Sequence, residues 1–265
     1  WVMVSDRNLP DFVAKEVTLS NSNIFINEEM QIGVRIANEG FAFAPTGVEV
    51  RIFRSTDATF DNSDVLLSTL YTQSVMGIGE TQELTTNFTP TGAVGDFYII
   101  ARVNGNAGFS ELIPINNTSL GTPLTIVPDY TATASVSGDI FNGTTPILIT
   151  GVTEAIPKSP SPNKEVDVYI MVNGTRRVLT AVSDNNGQFS VSFIPVNGEA
   201  GFYEIGACYP GQGLSEAQDA FKILGARAEF AGNLLWDIYL DNTSEFSLDI
   251  QNYSDLPLTN LNLQV

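Results

Sequence analysis

Three carboxylates stand within eight residues at Asp57, Asp61 and Asp64, interleaved with the hydroxyls of Thr59 and Ser63. Oxygen donors from one short loop are what a hard cation such as Ca²⁺ takes, so these three aspartates are the chain's candidate metal ligands and a structural Ca²⁺ its candidate cofactor. The spacing departs from an EF-hand: Asn62 stands where that loop needs glycine, and Ser68 where it needs a bidentate glutamate. The competing reading is that the Asp and Ser side chains cap the loop's own N–H groups in Asx turns.

Other reactive chemistry is scarce. The 265 residues contain no histidine, which removes the commonest general base, the commonest transition-metal ligand and the usual pH switch. The single Cys208, in the strand-like run Gly206-Ala207-Cys208-Tyr209, reads as a small buried hydrophobe rather than a nucleophile, and one cysteine makes no intrachain disulfide. Glu28, Glu29, Asp237 and Asp241 offer acids for glycoside hydrolysis, but sheet surfaces carry such residues for solubility, and no triad, phosphate loop or metal cluster supports an enzyme. No catalytic residue is therefore expected. Sequons at Asn87, Asn116, Asn117, Asn142, Asn173, Asn242 and Asn252 suit a glycosylated surface protein, although Asn-, Ser- and Thr-rich strands produce them by chance. Trp1 and Trp236 could stack on sugars; Trp236 fits a core position better, and Trp1 reads as a residue that has lost a neighbouring module.

A net charge of -18 disfavours nucleic acid and anionic membrane surfaces as partners. No apolar run reaches the length of a membrane span, and no signal peptide is recognisable. Chains of this length hold two or three units of roughly 100 residues.

The elements that must position these groups are strands. Alternation of period two recurs throughout, and no long window carries a helical stripe. In the first unit strands are expected over 11–19, 30–37, 46–54, 65–75, 80–88, 97–103 and 120–126, with Ile32, Val34 and Ile36 on one face. This places the acidic loop between two paired strands. In the second unit they are expected near 131–136, 147–153, 165–172, 177–183, 188–194, 202–209 and 217–224. Asn173-Gly174 and Asn186-Gly187 read as hairpin turns. The fold class is all-β, as tandem immunoglobulin-like β-sandwiches.

The expected organisation is 1–9 as the last strand of a preceding module or a linker, 10–128 and 129–225 as two sandwiches, and 226–265 as an incomplete third domain with strands near 233–240, 245–251 and 258–265. The run from Ile32 to Asn38 matches that from Phe246 to Asn252, so the third unit reads as a relative of the first that stops early, and both ends read as cut from a longer tandem array.

Pro10-Asp11-Phe12-Val13, the run from Val34 to Gly40, the run from Ser55 to Asp64, Gly95-Asp96-Phe97-Tyr98 and Asn116-Asn117 together resemble the CARDB family, the cell-adhesion-related domain found in bacteria, over residues 10–127. The resemblance implies an immunoglobulin-like sandwich in large secreted or surface proteins of bacteria and archaea. One departure is the segment before the last strand, which is acidic and Asn-rich in the family and here, over 104–117, keeps Glu111 alone among acids. Residues 129–225 look like a bacterial immunoglobulin-like module. The function expected is a non-enzymatic structural or adhesion module of an extracellular or cell-surface protein, whose partners are neighbouring domains, other copies of itself, or surface glycans and proteins. An open edge of the third unit could accept a strand such as Trp1 to Ser5 from another chain, building a head-to-tail filament. The alternative is a carbohydrate-binding or accessory module of a secreted enzyme.

Overall fold

The computed structural model describes residues 8–214, 216–230 and 247–259. The all-β expectation is borne out: apart from one 3₁₀ turn at Pro114–Asn116, the elements among the described residues are strands, and the chain falls in two compact units, Trp1–Asp129 and Tyr130–Val265.

The first unit contains β1 (Phe12–Leu19), β2 (Asn23–Phe25), β3 (Met30–Asn38), β4 (Glu49–Ser55), β5 (Val65–Tyr71), β6 (Thr81–Phe88), β7 (Gly95–Val103) and β8 (Thr122–Val127). They form a three-stranded sheet, β1-β3-β6, and a five-stranded sheet, β2-β8-β7-β4-β5. Alternation puts Met30, Ile32, Val34 and Ile36 inside while Gln31 and Arg35 face water, and on the other sheet Val50 and Ile52 are fully buried. β1 starts beside the end of β3, with Phe12 opposite Asn38, and β8 ends beside Phe25, with the Ile26 N–H bonded to the Val127 carbonyl. The chain therefore joins the first strand at one pole of this sandwich and leaves the last strand at the other.

The second unit contains β9 (Tyr130–Val136), β10 (Ile140–Phe141), β11 (Ile147–Ala155), β12 (Ser159–Pro160), β13 (Glu165–Val172), β14 (Thr175–Val182), β15 (Gln188–Phe193), β16 (Gly201–Cys208) and β17 (Asp219–Ile223). One sheet runs β10-β17-β16-β13-β14; in the other, β11 lies between β9 and β15, with β12 paired to its end. Ile147, Ile149, Val168, Ile170, Phe193 and Ile205 fill the core, where Tyr203 stacks on Phe221 with centroids 4.9 Å apart. Gln218 closes one side. Its Oε1 accepts from the N–H groups of Ala134 and Ala207, and its Nε2 donates to the carbonyls of Ala132 and Ala207, so one amide bridges β9 and β16 across the two sheets.

Asn173-Gly174 is the tight hairpin expected, joining β13 to β14 with φ of 48° and 74°. Asn186-Gly187 is not a hairpin: β14 and β15 lie in different sheets. The chain turns there because the Asp184 carboxylate accepts from the N–H groups of Asn186 and Gln188, while the Gly187 carbonyl is taken by Thr153 on β11.

β18 (Ala226–Phe230) and β19 (Leu248–Asn252) pair as an antiparallel ribbon belonging to the second unit. It is tied down by the Tyr253 N–H on the Gly225 carbonyl, by the Tyr253 ring edge-on to Phe202 at 5.7 Å, and by Lys222 at 3.9 Å from Asp255. β19 covers part of the strand expected over 245–251. The strand expected over 233–240, most of that over 258–265, the segment 1–7, and Trp1, Trp236, Asp237, Asp241 and Asn242 lie outside the described residues.

Candidate functional site

The acidic loop joins β4 to β5, as its flanking alternation requires. Phe60 anchors it: the ring sits edge-on to Phe53 at 4.8 Å, with the Arg102 guanidinium 4.9 Å from its centroid. The three carboxylates act on the loop's own backbone. Asp57 Oδ1 accepts from the Thr59 N–H at 2.7 Å and the Thr59 hydroxyl at 2.6 Å. Asp61 Oδ1 accepts from the Ser63 N–H and hydroxyl, both at 2.6 Å, and Asp64 Oδ2 accepts from the Asp61 N–H at 3.0 Å. The hydroxyl bonds first, and the amide bonds second, hold Asp57 and Asp61 below the usual carboxylate range.

Asp57 and Asp61 are exposed and Asp64 is half-buried. Asp61 and Asp64 line a recess of about 240 Å³ together with Arg51, Arg102 and Phe60. Two guanidinium groups thus share the recess with two of the three acids, which opposes the gathering of a divalent cation there. Thr59 and Ser63, whose oxygens could have joined a cation, instead turn their hydroxyl hydrogens to the carboxylates. Among the described residues, no three Cys, Asp or Glu side chains are gathered as a metal centre.

A second polar cluster was not legible as such from the sequence. At the pole where β1 begins, Glu111 Oε1 accepts from the side-chain amides of Asn104 at 2.6 Å and Asn117 at 2.7 Å, and its Oε2 accepts from the Phe12 N–H at 3.1 Å. Asp11 accepts from the Ile113 N–H and from the Asn116 amide. Asn38 Oδ1 accepts from the N–H groups of Asp11 and Gly40, while its Nδ2 reaches the carbonyls of Ala42, Met76 and Gly77. Asp11, Asn38, Asn104 and Asn117 are buried. The cluster fastens the first strand and the 104–117 segment to one end of the sandwich. The available signal was the pair of flanking motifs, Pro10-Asp11 and Asn116-Asn117, about a hundred residues apart, which no local pattern joins.

The remaining candidates are placed apart from these. Glu28 and Glu29 lie in the turn before β3, where Glu28 caps the Phe25 N–H. Cys208 is buried in β16, and burial pushes its thiol up. Among the sequons, Asn116 and Asn117 spend their amide nitrogens on Asp11 and Glu111, Asn173 on Glu229 and Asn252 on the Leu256 carbonyl; Asn87 and Asn142 are exposed. No helix among the described residues is long and apolar enough to cross a membrane.

The profile of the CARDB family matches residues 9–120, a little under half of the chain. The CARDB domain of a Pyrococcus furiosus protein, crystallised in complex with di-metal ions, is 23% identical with a TM-score of 0.36, the match covering 45% of this chain and 90% of that one. The Yersinia pseudotuberculosis adhesin InvE is 16% identical with a TM-score of 0.41, over 83% of this chain and 61% of that one. A β-glucosidase of Erythrobacter marinus is 13% identical with a TM-score of 0.31, over 44% of this chain and 16% of that one. Comparison with curated proteins found no match.

Proposed function

We propose that this chain is a non-enzymatic structural and adhesion module of a large extracellular or cell-surface protein. The observation that carries the reading is the CARDB match over a sandwich whose polar clusters are turned inward on the fold. The acids at 57–64 cap turns, and those at 11 and 111 fasten a strand to a loop. Asp61, Asp64 and Glu111 line surface recesses, but their carboxylates are engaged in hydrogen bonds within the fold. Residues 130–225 act in this reading as a second immunoglobulin-like spacer, and the strongly acidic surface keeps neighbouring copies apart and soluble. A structural Ca²⁺ at Asp57, Asp61 and Asp64 is not needed for it.

The finer part of the proposal is head-to-tail strand exchange. β18 and β19 pair only with each other among the described residues, so both outer edges of that ribbon can accept a strand, and the apolar stretch Trp1 to Ser5 of another copy is the candidate donor. Deleting residues 1–8 then abolishes concentration-dependent chain growth in light scattering; growth that persists without them refutes strand exchange. A glycan array tests the broader reading. A spacer or protein adhesin gives no selective hits, whereas selective hits would establish the carbohydrate-binding alternative.

A further inference from the structure

The edges of the two sheets in the second unit are not alike. The outer side of β9 is filled by side chains: Gln218 takes the Ala134 N–H and the Ala132 carbonyl, and Asp219 takes the Val136 N–H. β10 is two residues long, too short to hold a partner. β14 carries Arg176 and Arg177, and charged side chains along an edge are a usual guard against pairing. β15 has such a guard only at its first residue, where Asp184 occupies both outward groups of Gln188. Its sequence, Gln-Phe-Ser-Val-Ser-Phe, holds no charge and no proline, and its ladder to β11 runs without a bulge.

The backbone direction of β15 follows from its start. Gln188 exchanges both of its main-chain groups with Asp184, away from β11, while the Gly187 carbonyl bonds to Thr153 on β11. Even-numbered residues therefore present their N–H and C=O groups outward. Ser190 and Ser192 do so without a partner among the described residues, and both are exposed, as is Ile194 at 71%.

We infer that β15 is a pairing edge for a second copy of this chain. Two copies laid antiparallel about Val191 place Ser190 opposite Ser192 of the other copy on both sides of the axis, with inward residues facing inward residues; the pairing ends before Gln188, whose outward groups Asp184 already holds. Every cross-strand pair is uncharged. That matters in a chain of net charge -18, because most surfaces brought together by two copies would oppose carboxylate to carboxylate. The outward rows of the same sheet continue the neutral surface, since Thr133, Ser135, Thr150, Val152, Ser190 and Ser192 are all exposed. The β9-β11-β15 sheets of two copies then form one continuous sheet. This lateral contact is independent of the head-to-tail exchange proposed above and uses different residues.

Sedimentation equilibrium of the full chain tests it, with average mass rising toward that of a dimer as concentration rises, and at lower concentration when salt screens the net charge. Ser192→Pro removes one outward N–H and no bond to β11; it is expected to abolish the dimer while leaving the melting temperature of the dilute protein unchanged. If that variant fails to fold, Ser190→Lys with Ser192→Lys tests the same edge without altering the backbone. Register is read by disulfide capture: chains carrying Ser190→Cys cross-link when mixed with chains carrying Ser192→Cys, and neither does so alone. A chain that stays monomeric at every concentration and salt, a dimer that survives the proline or lysine variants, or cross-linking of either cysteine variant with itself overturns the proposal.

Discussion

Asp57, Asp61 and Glu111 are all acids on loops of one sandwich, yet the first two and the third answer to different tests. Glu111 holds three donors, two of them on the buried side chains of Asn104 and Asn117. Glu111→Ala strands those donors and is expected to cost about 2–4 kcal/mol, read as a lower urea midpoint at unchanged slope. Asp57 and Asp61 are exposed caps whose carboxyls lie below their ordinary values. A carboxyl depressed in the folded state adds stability that is fully present above its unfolded value, near pH 4, and is lost as pH falls through the folded value. The wild type is therefore expected to lose stability below about pH 4, and Asp57→Ala with Asp61→Ala to show a weaker loss over the same window in melts taken between pH 2 and 7. Ca²⁺ and EDTA leave the melting temperature at pH 7 unchanged if capping is the whole role of the loop; a rise with Ca²⁺ that vanishes in the double variant would assign the ion to it.

At the level of elements, two glycines separate backbone cost from packing cost. Gly174 occupies the positive φ of the β13–β14 turn with open space around it, so Gly174→Ala is expected to cost about 1 kcal/mol from backbone conformation alone. Gly206 lies under the Tyr169 ring, where an added Cβ would stand 2.2 Å from the phenol oxygen, and that hydroxyl is tied to the Glu216 carbonyl at 2.6 Å. Gly206→Ala must push the tyrosine out and is expected to cost about 3 kcal/mol. Chemical denaturation of the two variants side by side checks the ordering. The alternation that announced β3, β4 and β13 was legible because buried apolar residues recur two positions apart, while Gln31, Arg35, Arg51 and Asp167 between them are not buried. β2 was missed because three residues are too few for a period to show, and because its partner β8 runs parallel to it from a hundred residues away. Asn186-Gly187 misled for a related reason. The dipeptide specifies a reversal, while the sheet that the returning strand joins is decided by Asp184 and by Thr153 of β11. The acidic loop was placed correctly between its strands, and its carboxylates cap the loop's own N–H groups, as the competing reading of the sequence had it. What no local pattern showed is the anchor of the loop, Phe60 beneath Arg102, a pair distant in the chain.

Among the described residues each unit has buried apolar residues of its own, from Phe12 to Ile126 in the first and from Tyr130 to Ile223 in the second. Cleavage between Asp129 and Tyr130 is accordingly expected to leave two fragments that each give a β-type circular dichroism spectrum and melt cooperatively; a fragment without a transition would show that one core depends on the other. In the first unit the termini of the sandwich sit at opposite poles, with β1 running inward from Asp11 and β8 running outward to Val127. A pull on this unit from its neighbours in a chain would act along the axes of β1 and β8. Every rung between β1 and β3, and between β8 and both β7 and β2, would then be loaded together in shear instead of being peeled one at a time. The Glu111 clamp adds its bond to the Phe12 N–H at the point where the load arrives. A tether that must hold under flow would profit from this arrangement, because its resistance to rupture is set by the direction in which the strands are drawn as well as by its equilibrium stability.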